Sequence, residues 1–317
     1  MTTAVPVAFV GGHGRSGSTL LSRVLGAVPG FVSVGELCYL WDQGVVMDRM
    51  CGCGQPFSRC EFWTAVGKDA FGSWDRVDAR ALLTLRKAVE RVRYTPLLSA
   101  PAVAPDYARK LREYAAAMSK VYHSVRAVSG AEVVVDTSKY PSSAYLLRHV
   151  PGVELRLVHL VRSVYGVCYS WSKTVARPDR DGKPMPQYPP IRTAAEWSAF
   201  NFLLDALRLR GVPTQLVHYE DFVAAPRAEL TRIVRFLGRD VSGDDLAFVG
   251  ESNVELPRDH SVAGNPMRFR SGPEELRLDE AWRTKLDPKA RRLISVVSGP
   301  AILRYGYASD LRHPAAT

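Results

Sequence analysis

This sequence predicts a three-layer α/β fold, a parallel sheet covered by helices on both faces. Three observations lead there. Short apolar runs of strand length alternate with longer helical patterns, the βαβα order of a parallel sheet. The strongest run, Glu154–Val161 (ELRLVHLV), is too apolar to have an open face. The first run leads through a glycine-rich turn directly into an apolar helix.

Val5–Val10 is the first strand, and the helix after its glycine turn runs through Thr19–Val28. Phe31–Val34 is a second, short strand. Leu, Val, Tyr and Ala recur at helical spacing through Asp78–Tyr94 and Asp106–Val128. Glu132–Val135 is a strand, and Pro141 opens a helix to His149, since proline is tolerated in the first helical turn. A helix through about Thr174 follows Glu154–Val161. Thr193-Ala-Ala-Glu196 has the spacing of a capping box and starts a helix to about Arg210. Thr214–His218 is a strand and Pro226–Leu237 a helix. The proline-rich stretch Arg177–Arg192 and the stretch Glu251–Pro273 read as loops, of the length that often forms lids or binding loops. The reading is one domain over 1–317, with insertions at about 45–128 and 177–192.

Composition narrows the functions. With 317 residues, 46% hydrophobic and 23% charged, the chain is an ordinary globular protein, and a fibrous, collagen-like or largely disordered one is excluded. Lys and Arg number 42 against 32 Asp and Glu, a net charge of +10 spread without blocks of like charge. That pattern does not read as a nucleic-acid tail, and no nucleic-acid partner is expected; it suits an anionic ligand. No apolar run approaches the ~20 residues of a membrane-spanning helix. The start lacks a basic segment, so no secretory signal is expected. Five cysteines are an odd number, too few for a disulfide scaffold, and a reduced, cytoplasmic protein is the expectation. Cys51, Cys53 and Cys60 form C-x-C-x6-C without a well-spaced fourth ligand. Cys38 as a fourth ligand, a disulfide and free thiols stay equally open, and the reading takes no metal.

Two motifs carry chemistry. Gly11-Gly-His-Gly-Arg-Ser-Gly-Ser-Thr19 lies between a strand and a helix, where glycines turn the backbone tightly and aim N–H groups into one concavity. From Gly12 the spacing fits a phosphate loop, with Ser18 where nucleotide triphosphatases place the lysine that reaches the β- and γ-phosphates. Arg15 and the hydroxyls of Ser16, Ser18 and Thr19 remain as anion donors. The second motif is Arg162 at the carboxyl end of Glu154–Val161, with Ser170 two turns into the next helix. An arginine there borders the crevice where open α/β sheets bind ligands, and its planar fork suits a phosphate.

Together these motifs resemble the family of sulfotransferases that use 3′-phosphoadenosine 5′-phosphosulfate (PAPS). Val7 to Leu21 (VAFVGGHGRSGSTLL) is similar to the family's 5′-phosphosulfate loop, and Leu157 to Ser170 (LVHLVRSVYGVCYS) to its 3′-phosphate motif. Val217 to Phe222 (VHYEDF), with the later helix ending Arg235-Phe-Leu-Gly238, resembles a framework stretch of the family. Ser163 departs from the usual acidic residue and Tyr165 from an often basic one. Arg15 stands where the cytosolic branch carries lysine, which resembles the branch acting on carbohydrates, tyrosine residues and bacterial metabolites.

The resemblance implies a P-loop-like fold and transfer of a sulfuryl group to a hydroxyl of a sugar, lipid or other small metabolite, with no metal required. It implies that Gly14, Arg15, Ser16, Gly17, Ser18 and Thr19 hold the 5′-phosphosulfate, and that Arg162, Ser170 and Arg268, in the late loop after His260, hold the 3′-phosphate end. Glu36 lies where these branches place the catalytic base, with His13 and His260 as rivals. Lys139 resembles a lysine used beside the transferring group, where a cation steadies developing charge; Asp136 would orient it or cap the next helix. The two insertions would shape the acceptor pocket. A nucleotide kinase or other P-loop phosphotransferase, and a nucleotide-binding protein without turnover, are the alternatives, and the missing loop lysine argues against the first.

Overall fold

A computed structural model of the chain describes residues 4–176, 182 and 184–311. Its elements are β1 (Val5–Gly11), α1 (Ser18–Gly26), β2 (Phe31–Gly35), α2 (Glu61–Phe71), α3 (Ala79–Val89), α4 (Thr95–Ser99), α5 (Pro105–Ser129), β3 (Val133–Lys139), α6 (Pro141–Leu147), β4 (Val153–Val161) and α7 (Val164–Ser172). The rest are α8 (Pro190–Arg208), β5 (Thr214–His218), α9 (Tyr219–Ala224), α10 (Pro226–Phe236), β6 (Asn253–Leu256), β7 (Gly272–Glu275), α11 (Trp282–Lys285), α12 (Pro288–Arg304) and α13 (Ala308–Leu311). The central sheet is parallel throughout, in the order β2-β3-β1-β4-β5.

Alternation along β1 explains why its sequence is continuously apolar. Val5, Val7 and Phe9 enter one core with Tyr114, Met118 and Val121 of α5. Ala8 and Val10 enter the other, with Leu21 and Val24 of α1 and Ile233 of α10. Both faces of the strand are therefore buried, as in a doubly covered sheet. β4 follows the same rule, and its interior His159, fully buried, is held by a 2.9 Å hydrogen-bonding contact between Nε2 and Asn201 Oδ1.

From β1 the chain crosses to β2 at one edge and returns to β3 beside β1, and β4 then leads to β5 on the other side. Connections leave β1 and β4 in opposite directions, so the sheet has its topological switch point between their carboxyl ends. Open α/β sheets bind ligands at that crevice.

Several expectations change. α8 begins at Pro190, three residues before the expected capping box. Thr193 is buried inside the helix, and Glu196 accepts from Arg192 Nε at 2.8 Å instead of reaching back to an N-cap amide. The segment Asp78–Tyr94 divides: Asp78 caps α3 by accepting from Ala81 N at 2.9 Å, α3 ends at Val89, and Val92–Tyr94 form a separate 3-10 turn. The stretch 251–273 is not structureless, because β6 and β7 pair antiparallel around a 3-10 turn at Pro266–Phe269. Of the stretch 177–192, residues 177–181 and 183 lie outside the described residues. Helices α2 and α12 were not anticipated. α12 carries Pro300 inside it, a residue that argues against a helix in sequence, and it packs on α8, where Ser198 Oγ donates to Ser298 Oγ at 3.0 Å.

Candidate functional site

β1 ends at Gly11, and the next residues turn sharply under the carboxyl edge of the sheet. Gly12, at φ 154°, lies so close to β4 that a Cβ there would stand 2.3 Å from the Leu160 carbonyl oxygen. Gly17, at φ 88°, is the N-cap of α1 and supplies no side-chain acceptor; a Cβ there would meet the Tyr219 ring at 2.4 Å. No carboxylate lies in the first turn of α1. The leading N–H groups of the helix therefore keep their capacity for an anion, favoured by the positive end of the helix dipole. Arg15 holds φ 73°, a conformation that costs a non-glycine residue about 1–3 kcal/mol and tends to persist at functional sites. Its guanidinium lies 5.0 Å over the Trp171 ring and donates to Met185 Sδ at 3.1 Å.

The crevice opens into a cavity of 590 Å³. Of the sequence-predicted phosphate residues, Gly14, Arg15, Gly17, Ser18, Thr19, Arg162 and Ser170 line it. Arg162 donates through Nη1 to the Arg15 carbonyl at 3.1 Å and through Nη2 to the Asp279 carbonyl at 3.1 Å, and stacks 4.7 Å over Tyr219. It thereby ties the end of β4 to the β1 loop. Burial would raise Asp279, but Lys173 at 2.9 Å and Arg162 at 3.7 Å outweigh it and hold that carboxyl below its ordinary range.

Beside the loop, where Gly12 N donates to the Lys139 carbonyl at 3.2 Å, Glu36 and Lys139 form a salt bridge. Glu36 follows β2, and Lys139 ends β3 at φ 56°, a second strained backbone on the same wall. Asp136 fixes the turn that carries Lys139. Its Oδ1 accepts from Ser138 N at 2.7 Å and Ser138 Oγ at 2.6 Å, and its Oδ2 from Tyr122 Oη at 2.6 Å. The Ser138 hydroxyl also accepts the Cys38 amide at 2.9 Å, joining β3 to the segment after Glu36. Burial pushes the Asp136 carboxyl up from 3.8 to about 6 against these hydrogen bonds. A pKa raised on folding stabilises the native state below the unfolded value, and that stability is lost as pH rises through the folded one. We expect wild type to lose about 2 kcal/mol relative to Asp136→Asn between pH 4 and pH 7, read as the difference of their urea-unfolding free energies. The same difference at both pH values would show that Asp136 does not titrate in this window.

Three expected residues are elsewhere. Ser16 is buried behind the loop and does not line the cavity. Arg268 is also buried off the wall, its Nη1 donating to the Ser261 carbonyl at 2.9 Å. That buried arginine holds the late loop in shape, while Gly264, Asn265 and Met267 face the cavity in its place. His260 does not line the cavity and has its Nδ1 3.2 Å from Cys60 Sγ, so of the two rival bases only His13 faces the cavity. His13 lines the cavity 3.8 Å from Glu196, whose carboxyl His13 and Arg192 hold at about 2 against the opposing effect of burial.

No residue from 45–128 lines the cavity; α2, α3 and α5 turn their apolar faces into the core instead. Tyr39, Tyr140, Tyr188 and Phe200 also line the cavity, with the Tyr39 and Tyr140 hydroxyls 2.9 Å apart, Phe200 against His13 at 5.4 Å and Tyr188 against Trp171 at 4.8 Å. These aromatics, Trp171 and the outer Arg277 were missed. Tyr39, Tyr140, Trp171 and Phe200 sit in helix or turn patterns where an aromatic reads as core, and only the fold brings them to one crevice; Tyr188 lies in the stretch 177–192 expected to shape the acceptor pocket, and no motif marked Arg277.

Comparison with known proteins agrees with this geometry. A model described as the sulfotransferase family matches residues 6–243. A stretch of 101 residues is 30% identical to nodulation protein NoeE of Sinorhizobium fredii, covering 32% of this chain and 23% of that protein. The chain thus aligns with under a quarter of that relative's length. The sulfotransferase domain of the Synechococcus PCC 7002 olefin synthase matches the fold with a TM-score of 0.50 at 22% identity, over 93% of this chain and 95% of that one. For the sulfotransferase domain from the curacin biosynthetic pathway the TM-score is 0.49 at 16% identity, over 94% and 99%. A glycine loop at the switch point of a five-stranded parallel sheet, within a chain that one family model covers for most of its length, has one reading: this chain belongs to the sulfotransferase family.

Proposed function

We propose that the protein transfers a sulfuryl group from PAPS to a hydroxyl of a sugar, lipid or other small metabolite. The observation that carries this reading is the meeting of two unlike sets of groups in one cavity. One set is the uncapped amides of α1, Arg15 and Arg162; the other is the Glu36–Lys139 pair.

The first set suits the donor. The amides from Gly17 to Thr19, the Ser18 and Thr19 hydroxyls and Arg15 would hold the 5′-phosphosulfate, and Arg162 with Ser170 the 3′-phosphate. The loop carries no lysine of the kind that reaches a γ-phosphate, which fits a donor without one. The second set suits the reaction. Glu36 takes the acceptor's proton as its oxygen attacks sulfur. The S–O bond to the phosphate breaks in line with that attack, and the Lys139 ammonium steadies the charge gathering on the departing oxygen. The aromatic wall of Tyr39, Tyr140, Tyr188 and Phe200 would pack one face of a small acceptor and place its hydroxyl against Glu36.

The test is a mass-spectrometric screen in which the protein and PAPS are added to an extract of its native cell. Metabolites gaining a sulfuryl group only with active protein support the reading. Phosphorylated products formed with ATP, in the absence of sulfated ones, would overturn it.

For the 3′-phosphate end, Arg162→Ala is expected to weaken PAPS binding by about 1.5–3 kcal/mol, the range for hydrogen bonds to a charged group. Discrimination against adenosine 5′-phosphosulfate, which lacks that phosphate, falls with it. Equal weakening of both donors in calorimetric titrations would make Arg162 a brace for the Arg15 carbonyl and nothing more.

A further inference from the structure

Away from the cavity, a second constellation forms from parts that the sequence keeps 200 residues apart. The Sγ atoms of Cys51, Cys53 and Cys60 and a ring nitrogen of His260 all lie within 4.8 Å of one another. Cys53 Sγ is 3.7 Å from Cys60 Sγ, and His260 Nδ1 is 3.2 Å from Cys60 Sγ and 4.0 Å from Cys51 Sγ. Zinc binds thiolate sulfur at about 2.3 Å and imidazole nitrogen at about 2.0–2.1 Å. A tetrahedron with those radii has edges of about 3.5–3.8 Å, and the observed separations bracket that range.

The surroundings are built to hold these four atoms. Cys51 donates its amide to the Gln55 carbonyl at 2.8 Å and accepts from Gly54 N at 2.9 Å, closing a tight knuckle that Gly54 permits at φ 87°. Gly52 passes so close to Asp259 that a Cβ there would lie 2.3 Å from Oδ1, and its amide donates to the Ser261 carbonyl at 2.9 Å. The His260 ring is stacked on Phe62 at 4.8 Å, and its carbonyl accepts from Trp63 Nε1 at 2.8 Å. Cys51 and Cys60 are fully buried, Cys53 and His260 half-buried. Cys38, the other fourth ligand considered from sequence, lies outside the group. Three soft thiolates and one imidazole at tetrahedral spacing select zinc over the oxygen-preferring cations.

We propose that Cys51, Cys53, Cys60 and His260 bind one structural zinc ion. This replaces the sequence reading of no metal, which rested on a missing fourth ligand. The ion fastens the 51–60 knuckle to the late loop just where that loop enters the site. Two residues on, Val262 N donates to the Val34 carbonyl at 3.0 Å, and the Ala263 carbonyl accepts from Glu36 N at 3.1 Å. Gly264, Asn265 and Met267 then face the cavity. The four ligands are all protein side chains, so no position is left for a substrate, as in closed structural sites.

The experiment is elemental analysis of the full chain purified under reducing conditions without chelator. Close to one zinc per chain is expected. A mercurial reagent should release that zinc as it titrates the cysteines. Cys53→Ser changes the half-exposed ligand and is expected to cut zinc content at least tenfold, as is His260→Ala, while His260→Cys keeps it. Cobalt(II) in place of zinc should give the ligand-field bands of a tetrahedral thiolate site, shifted in His260→Cys. Should the serine variant fail to fold, the wild-type metal content and cobalt spectrum still decide. Under a tenth of a zinc in folded wild type after zinc is added back, whether its thiols titrate freely or as an oxidised pair, would overturn the proposal. So would stoichiometric iron, or zinc retained by both Cys53→Ser and His260→Ala.

Discussion

Glu36→Gln is expected to lower kcat by about 10²–10⁴-fold, the contribution of a positioned general base. The substitution keeps the shape of the side chain and removes its ability to take a proton. Donor affinity should change little, because the groups proposed to hold the phosphates, the loop amides, Arg15 and Arg162, are supplied by β1, α1 and β4, whereas the Glu36 carboxylate pairs with Lys139. The acidic limb of the kcat/KM profile should vanish, since that limb reports the base in the free enzyme. His13→Ala is the control, being the remaining histidine on the cavity wall close to Glu196. Loss of turnover in His13→Ala, with Glu36→Gln active and its acidic limb intact, would transfer the role to His13. Parallel losses of donor binding and turnover in Glu36→Gln would make the carboxylate a support for Lys139.

Lys139→Met is expected to lower kcat by about 10²–10³-fold, the loss found when one preorganised donor to a developing oxyanion is removed. The methionine side chain keeps most of the length and none of the charge. Because the interaction grows only as charge leaves sulfur, kcat and kcat/KM should fall together while the KM for the donor stays within a few-fold. A rise in KM alone would show that Lys139 binds donor and transition state equally well. The strained φ of 56° is shared by lysine and methionine, so it does not enter the comparison.

The strand runs, the order of elements and the loop at the end of β1 were legible because each is a local property. Val5, Val7 and Phe9 alternate with Ala8 and Val10 toward two apolar cores, and a strand buried on both faces has to read as one apolar run. Gly12 and Gly17 are legible for a similar reason, as nothing larger fits at their places. Arg268 was misplaced because type and position cannot tell an arginine aimed at a ligand from one aimed at the carbonyl of Ser261. The start of α8 was misjudged since Thr193 and Glu196 have capping-box spacing, whereas Pro190 sets the helix start and Glu196 is drawn to Arg192 and His13. The aromatic wall and the union of Cys60 with His260 depend on contacts across the fold that no window of sequence contains.

The claim on which the account turns is the identity of the donor. It is tested most directly by the thermal shift of the protein with adenosine 3′,5′-bisphosphate set against ATP with Mg²⁺. A ligand bound to the folded state alone adds about 2.7 kcal/mol of stability at one hundred times its Kd. The account predicts a concentration-dependent rise in Tm with the bisphosphate that is reduced in Arg162→Ala, and little response to ATP with Mg²⁺. A larger rise with ATP and Mg²⁺ than with the bisphosphate would contradict it.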